Sequence, residues 1–294
     1  MIRMAYAHVN GIWLNHREQG EGEPLLLVMG LGAPWQGWEP QLEAFSRQYR
    51  VICFDNRGVG ASDKPVGRYT VSQLMEDARG LLDHLRIERA HVVGVSMGGM
   101  VAMEMAARYP QRVGSLVLAA TTPAADARMR WTMGRIAARV GAVAFTCGGS
   151  LQDRVAAVKE ELVQVWLPLI FSARPGGDEE AIVRRLMDAA FADGFPAVGT
   201  AGQLAACFAH DARERLRGIA SRTLVLGGTT DAVFATERSA ELARSISGAR
   251  LELLDGVPHA INLVQPQAFN DVVLRFLSGA RAHRGRRHRV ASPA

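Results

Sequence analysis

The chain reads as an α/β protein: a mostly parallel central sheet with helices on both faces and a helical lid inserted after the sixth strand. Three observations predict this. Short apolar runs alternate with stretches whose apolar residues recur at helical spacing. The runs are apolar at consecutive positions, as strands buried between two helical layers must be. The alternation breaks once, between residues 123 and 217, where helical spacing continues without any strand-like run, and then resumes. With 294 residues, 48% of them hydrophobic, the chain can bury a large core in one domain and still carry an insertion.

In chain order, residues 6–9 and 12–16 flank Asn10-Gly11, a pair suited to a tight hairpin turn, and so form two antiparallel strands. Leu25-Leu26-Leu27-Val28-Met29 is a buried strand ending in Gly30-Leu31-Gly32. Residues 38–49 place Trp38, Leu42 and Phe45 on one helical stripe, and the apolar run 51–54 ends at Asp55. The unit then repeats, with a helix over 70–85 and a strand over 91–95 that runs into Ser96. A helix over 100–109 stops at Pro110, and 115–119 is the sixth strand. After the insertion come a strand at 222–226, a helix at 236–247, a strand at 250–254 and a last helix at 266–277. These assign residues 1–122 and 218–278 to the core, 123–217 to the helical lid and 279–294 to a basic, disordered tail.

The formal charge of +5 resides in that tail, where Arg281, Arg284, Arg286, Arg287 and Arg289 occur with no acidic residue. Without those five, basic and acidic side chains are equal in number. A neutral body argues against a nucleic-acid partner or a polyanionic substrate. No run approaches the roughly 18 apolar residues of a membrane span, and the start lacks the apolar core of a signal peptide. Cys53, Cys147 and Cys207 are odd in number and widely spaced, as buried thiols in a reducing compartment would be. A cytoplasmic protein without a membrane span is the expectation; nothing in the sequence bears on oligomeric state.

Ser96 carries the functional signal. In Gly94-Val95-Ser96-Met97-Gly98-Gly99 it stands between an apolar strand and a helix. A serine hydroxyl is a weak nucleophile, and needs free presentation, an adjacent base and donors for the oxyanion that forms on attack. A sharp strand-to-helix turn meets the first and third needs, and the glycines leave room for it. The Met97 amide, at the helix start, and the Leu31 amide, in the Gly-rich loop after the third strand, are the expected oxyanion donors. Among eight histidines, His259 lies in the loop after the strand at 250–254, which opens on the same sheet edge, and is assigned as base. His84 and His91 are read as local hydrogen-bonding groups and His210 as a surface or hinge residue. Asp231 follows the strand at 222–226 and precedes His259, which suits the carboxylate that orients the imidazole. Asp126 is the alternative acid, and Asp55 is read as fixing the loop Arg57-Gly58-Val59-Gly60. Residue 63 is Asp63 where a third nucleotide-binding glycine would stand, and no metal-ligand spacing occurs, so no cofactor and no metal are expected.

Together these residues resemble the α/β-hydrolase superfamily over almost the whole chain outside the insertion and tail. Met29-Gly30-Leu31-Gly32 resembles its His-Gly oxyanion segment, with Met29 where histidine is frequent. Asp55-Asn56-Arg57-Gly58-Val59-Gly60-Ala61-Ser62 resembles its Asp-x-Arg-Gly-x-Gly-x-Ser segment. Gly94-Val95-Ser96-Met97-Gly98-Gly99-Met100 is similar to the elbow of the 3-oxoadipate enol-lactonase-like group. The resemblance puts Asp231 and His259 at the acid and base positions, although Phe234-Ala235 stands where a proline often follows the acid. It implies a serine hydrolase acting on an ester or lactone, and the apolar residues of the insertion together with the neutral body point to a small to medium, fairly apolar substrate. The insertion would then lie over the site, with Trp131, Phe145, Trp166, Phe171, Met187 and Phe191 as candidate pocket residues. Three rival readings share the fold: a cofactor-free haloperoxidase or perhydrolase, a carbon–carbon bond hydrolase, and a non-catalytic ligand-binding protein.

Overall fold

The computed structural model describes residues 3–171, 177–192 and 197–289. Asn10-Gly11 turns β1 (Arg3–Val9) back on β2 (Ile12–Gln19), and β2 pairs antiparallel with β4 (Tyr49–Phe54). From there the sheet is parallel: β3 (Glu23–Val28), β4, β5 (Ala90–Val95), β6 (Val113–Ala119), β7 (Arg222–Gly228) and β8 (Arg250–Leu254). The order across the eight-stranded sheet is β1-β2-β4-β3-β5-β6-β7-β8. The chain therefore builds outward from β3 in one direction with β4 and in the other with β5. In open α/β sheets ligands bind at the carboxyl ends of the strands beside such a reversal.

The strands β3 to β7 each feed two cores, because successive side chains point to opposite faces. Leu26, Val28, Ile52, Phe54 and Val92 pack with α2 (Val71–His84) and α3 (Met97–Arg108). Leu25, Leu27, Val51, Cys53, Val93 and Val95 pack on the other face with α1 (Glu39–Ser46) and the last helix. The Thr70 side chain caps α2, accepting from the Gln73 amide at 3.0 Å. A buried leucine in such a layer stabilises the fold by about 1.5–3 kcal/mol relative to exposure.

Among the described residues between β6 and β7 stand the α-helices α4 (Ala127–Thr146), α5 (Leu151–Ile170), α6 (Gly177–Phe191) and α7 (Ala197–Ala209). Asp126 caps α4 and Ser150 caps α5 through a reciprocal box with Asp153. After β7 come α8 (Thr236–Ser245), the short α9 (Ile261–Val264) and α10 (Pro266–Arg289). One turn is too short to show a period, so α9 has no signal in the sequence. The segment after Gly279, expected to be disordered, continues α10 as far as Arg289, since alanine and arginine are both good helix formers; residues 290–294 lie outside the described part. Among the described residues no helix is long and apolar enough to cross a membrane.

Candidate active site

The turn from β5 into α3 holds Ser96 at φ 57° and ψ −121°, a left-handed conformation that is costly for a non-glycine residue. The surroundings impose it. The Ser96 N–H donates to the Ala119 carbonyl at 2.9 Å, and its own carbonyl accepts from Thr121 Oγ1 at 2.7 Å. A methyl group on Gly98 would overlap the Val28 carbonyl, and one on Gly94 would overlap the Gly98 carbonyl. Glycine at both places lets β5, β3 and the first turn of α3 approach closely enough to make the elbow.

His259 Nε2 lies 3.0 Å from Ser96 Oγ, and its Nδ1 lies 2.8 Å from Asp231 Oδ2. The other Asp231 oxygen accepts from the Val233 and Phe234 amides at 2.7 and 2.8 Å. The carboxylate is thereby held with Oδ2 facing the ring. Its acceptor-only oxygen selects the Nδ1–H tautomer, which leaves Nε2 free to accept the serine proton. Phe234 meets the imidazole edge-on, 5.3 Å between centroids, and limits its rotation. All three side chains sit at strand ends: Ser96 after β5, Asp231 after β7 and His259 after β8.

The loop after β3 passes beside the serine, since a Cβ on Gly30 would stand 3.2 Å from that of Ser96. Among the described residues, the N–H groups of Leu31 and Met97 have no protein acceptor. The alternative acids are committed elsewhere. Asp126 caps α4 and pairs with Arg238 at 3.2 Å. Asp55 accepts from Asn15, Trp35 and Ala61 at 2.6, 2.7 and 3.0 Å; the Ala61 bond anchors the end of the loop Arg57-Gly58-Val59-Gly60, as expected of it, and the Trp35 bond also ties that segment to the β3 loop. Burial pushes its carboxyl above the usual range, against the pull of those donors. His91 Nδ1 accepts from the Ser115 amide at 3.0 Å, a bond between β5 and β6 rather than one within its own stretch of chain. His210 is a correction: it is buried 3.7 Å from Glu104 rather than on the surface. Desolvation there lowers its pKa to about 4, outweighing the carboxylate, while Arg215 adds to the lowering.

Above Ser96 and His259 lies a cavity of about 110 Å³. Its walls are nearly all apolar: Met29, Val95, Met97, Met100, Val233 and Phe234 from the core, and Met129, Met133, Trp166, Ile170, Val183, Leu186, Met187 and Cys207 from the inserted helices. Of the six expected pocket residues, Trp166 and Met187 line it. Trp131 does not: it is 63% exposed, on an outer groove between α4 and α5, because it lies on the opposite face of α4 from Met129 and Met133. Phe171 is fully buried among Val163, Leu167, Val183 and Ala260, inside the helical layer. Phe191 is half-buried at the end of α6 and is not in the wall. The Phe145 side chain lies outside the described part. Met129, Ile170, Val183, Leu186 and Cys207 were missed, for an apolar helical stripe does not say whether it faces a neighbouring helix or a cavity. Among the described residues no group of three His, Cys, Asp or Glu is placed to hold a metal.

A strained serine where the strand order reverses, reached by a histidine and a carboxylate from later strand ends, defines the α/β-hydrolase class. The profile of the alpha/beta hydrolase fold family matches residues 23–266, and the chain belongs to that family. It is 32% identical over 266 residues to 3-oxoadipate enol-lactonase 2 of Acinetobacter baylyi, covering 88% of this chain and 91% of that protein. It is 30% identical over 276 residues to a protein of Azorhizobium caulinodans named as a carbamate hydrolase, RutD, covering 93% and 98% of the two. The crystal structure of the enol-lactonase from Burkholderia xenovorans LB400 superposes with a TM-score of 0.81 at 32% identity, over 93% of this chain and 100% of that one. The resemblance to the enol-lactonase-like group is therefore met.

Proposed function

We propose that this protein hydrolyses a carboxylic ester or lactone through an acyl intermediate on Ser96, with His259 as base and Asp231 as the group that orients it. The observation that carries this reading is the continuous chain from Ser96 Oγ to His259 to Asp231, at 3.0 and 2.8 Å. Ser96 Oγ attacks the carbonyl carbon as Nε2 takes its proton, and the developing imidazolium is stabilised by Asp231. The Leu31 and Met97 amides receive the oxyanion. The imidazolium then protonates the leaving alkoxide, and water deprotonated by the same nitrogen releases the acid.

The cavity supports an uncharged, apolar substrate. Among the described residues no Lys, Arg, Asp or Glu lines it, and burial pushes the Cys207 thiol up to about 12, so it stays neutral. Closing a lactone from 3-oxoadipate uses one carboxylate and leaves the other. Burying that charge here without a cation is costly, so the substrate differs in this respect from the one named for the Acinetobacter relative. The six methionines of the wall are adaptable and suit acyl chains of varied shape.

An organophosphonate probe tests the chemistry. Ser96 should form the adduct, Ser96→Ala should abolish it, and His259→Ala should slow it sharply; an unreactive folded protein would refute catalysis. A panel of esters, lactones and carbamates, with peroxide-dependent halogenation as a further arm, tests the class. Uncharged apolar esters should exceed their carboxylate-bearing counterparts by about 100-fold in kcat/KM.

A further inference from the structure

The inserted helix α7 reaches the proposed oxyanion loop through one side chain that belongs neither to the hydrogen-bonded trio nor to the cavity wall. Gln203 is fully buried. Its Oε1 accepts from the Gly32 N–H at 2.8 Å, and its Nε2 donates to the Arg57 carbonyl at 2.8 Å. An N–H on one side and a carbonyl on the other leave only one orientation for the amide, and both of its ends are used.

Gly32 occupies the third place of a turn, Gly30-Leu31-Gly32-Ala33, closed by the Ala33 N–H to the Gly30 carbonyl at 3.3 Å. Its φ of +69° is the value a type II turn demands there. Type I and type II turns differ by a flip of the central peptide, here the one between Leu31 and Gly32. Gln203 holds the N–H of that peptide and so opposes the flip. The adjoining peptide carries the Leu31 N–H beside Ser96.

The far end of the latch is rigid. Arg57 is buried against Asp77, with Nη2 2.6 Å from Oδ1, and Asn10 donates to the same oxygen at 2.8 Å. The helix itself docks closely, on backbone at Gly199 and on an aromatic ring at Gly202. A methyl on Gly199 would overlap the Gly58 backbone, and a Cβ on Gly202 would come within 2.8 Å of the Tyr69 ring. This close approach along one face of α7, at positions 199, 202 and 203, lets a single glutamine bridge two loops of the core.

We propose that Gln203 is a positioning residue for the oxyanion hole: it locks the Gly30–Ala33 turn in the form that aims the Leu31 N–H at the reacting carbonyl oxygen. The inference rests on the reading of Ser96 as nucleophile and Leu31 as oxyanion donor. It also makes α7 a structural part of the catalytic apparatus.

The test uses the full chain with Gln203→Met, which keeps the volume and removes both hydrogen bonds, and Gln203→Glu, which keeps the acceptor and, when ionised, loses the donor. Thermal melts and near-ultraviolet circular dichroism establish that each is folded. For a neutral ester, Gln203→Met should lower kcat by about 10- to 100-fold with KM within about twofold, because the Leu31 amide contributes mainly in the transition state. Gln203→Glu should recover relative to wild type as pH falls, since a protonated carboxyl again donates to the Arg57 carbonyl; the ratio of variant to wild-type kcat should rise toward acid. A folded Gln203→Met protein with kcat within twofold of wild type, or one changed only in KM, overturns the role of Gln203, as does a flat pH ratio for Gln203→Glu. If the wild type is folded but neither turns over esters nor takes up a phosphonate at Ser96, the catalytic reading fails and this inference with it.

Discussion

At the scale of single residues, the site depends on atoms that are already committed before substrate arrives. Asp231 has one oxygen occupied by two backbone amides and the other aimed at His259 Nδ1. Replacing that oxygen by an amide NH2 would leave two donors facing each other or force the opposite histidine tautomer, which turns an N–H toward Ser96 and removes its acceptor. Asp231→Asn should therefore retain the fold and lose about 10⁴ in kcat, the scale seen when such a carboxylate is neutralised. Steady-state kinetics on the best ester, beside a thermal melt, checks this; near-normal turnover would remove Asp231 from the mechanism. The convergence of Ser96, His259 and Asp231 was legible in the sequence because each follows a strand, and strand ends converge on one edge of a parallel sheet. Gln203 was not legible, for a glutamine in a helical stretch carries no signal of what its amide will meet across 171 residues of chain. His210 was misjudged for a related reason: its partner Glu104 comes from α3, and that contact buries it.

At the scale of elements, strands and insertion differ in what they disclose. Runs such as Leu25–Val28 and Val92–Val95 are apolar at every position or interrupted only by glycine, so their burial on both faces can be read directly. The strand Arg250–Leu254 is placed at its expected bounds. A helix of the insertion has more than one apolar side to offer, and sequence does not assign them. On α4, Met129 and Met133 face the cavity, whereas Trp131 faces outward with the Arg135 guanidinium 4.7 Å above its ring. Trp131→Ala should accordingly leave kcat/KM unchanged and alter stability by no more than about 0.5 kcal/mol. Trp166→Ala, which enlarges the cavity, should lower kcat/KM for short apolar esters by about tenfold or more and shift the optimum toward longer acyl chains. Acyl-chain profiles of the two variants measured side by side check both halves. A reversal of their effects would place the substrate in the outer groove instead of the cavity.

At the scale of the whole molecule, charge is segregated from chemistry. The five arginines after Gly279 account for the entire formal excess, and the remaining body is balanced. Before that segment α10 is held to the core by Phe269, Val273, Phe276 and Leu277, buried against β3, β5, β6 and α1, and the Phe276 carbonyl accepts from Arg222 at 3.1 Å. An uncharged substrate gains nothing from a cationic field, since steering acts on charge. Removing the residues after Gly279 should thus leave kcat/KM for neutral esters within about twofold at both low and high salt, because a basic segment that captured substrate would show its loss most at low ionic strength, where screening is weakest. The thermal midpoint should also hold, as the buried anchors from Phe269 to Leu277 all remain. A large fall in activity confined to low salt would instead assign the segment to electrostatic capture of an anionic substrate. A fall independent of salt, accompanied by a smaller particle in sedimentation, would assign it to assembly.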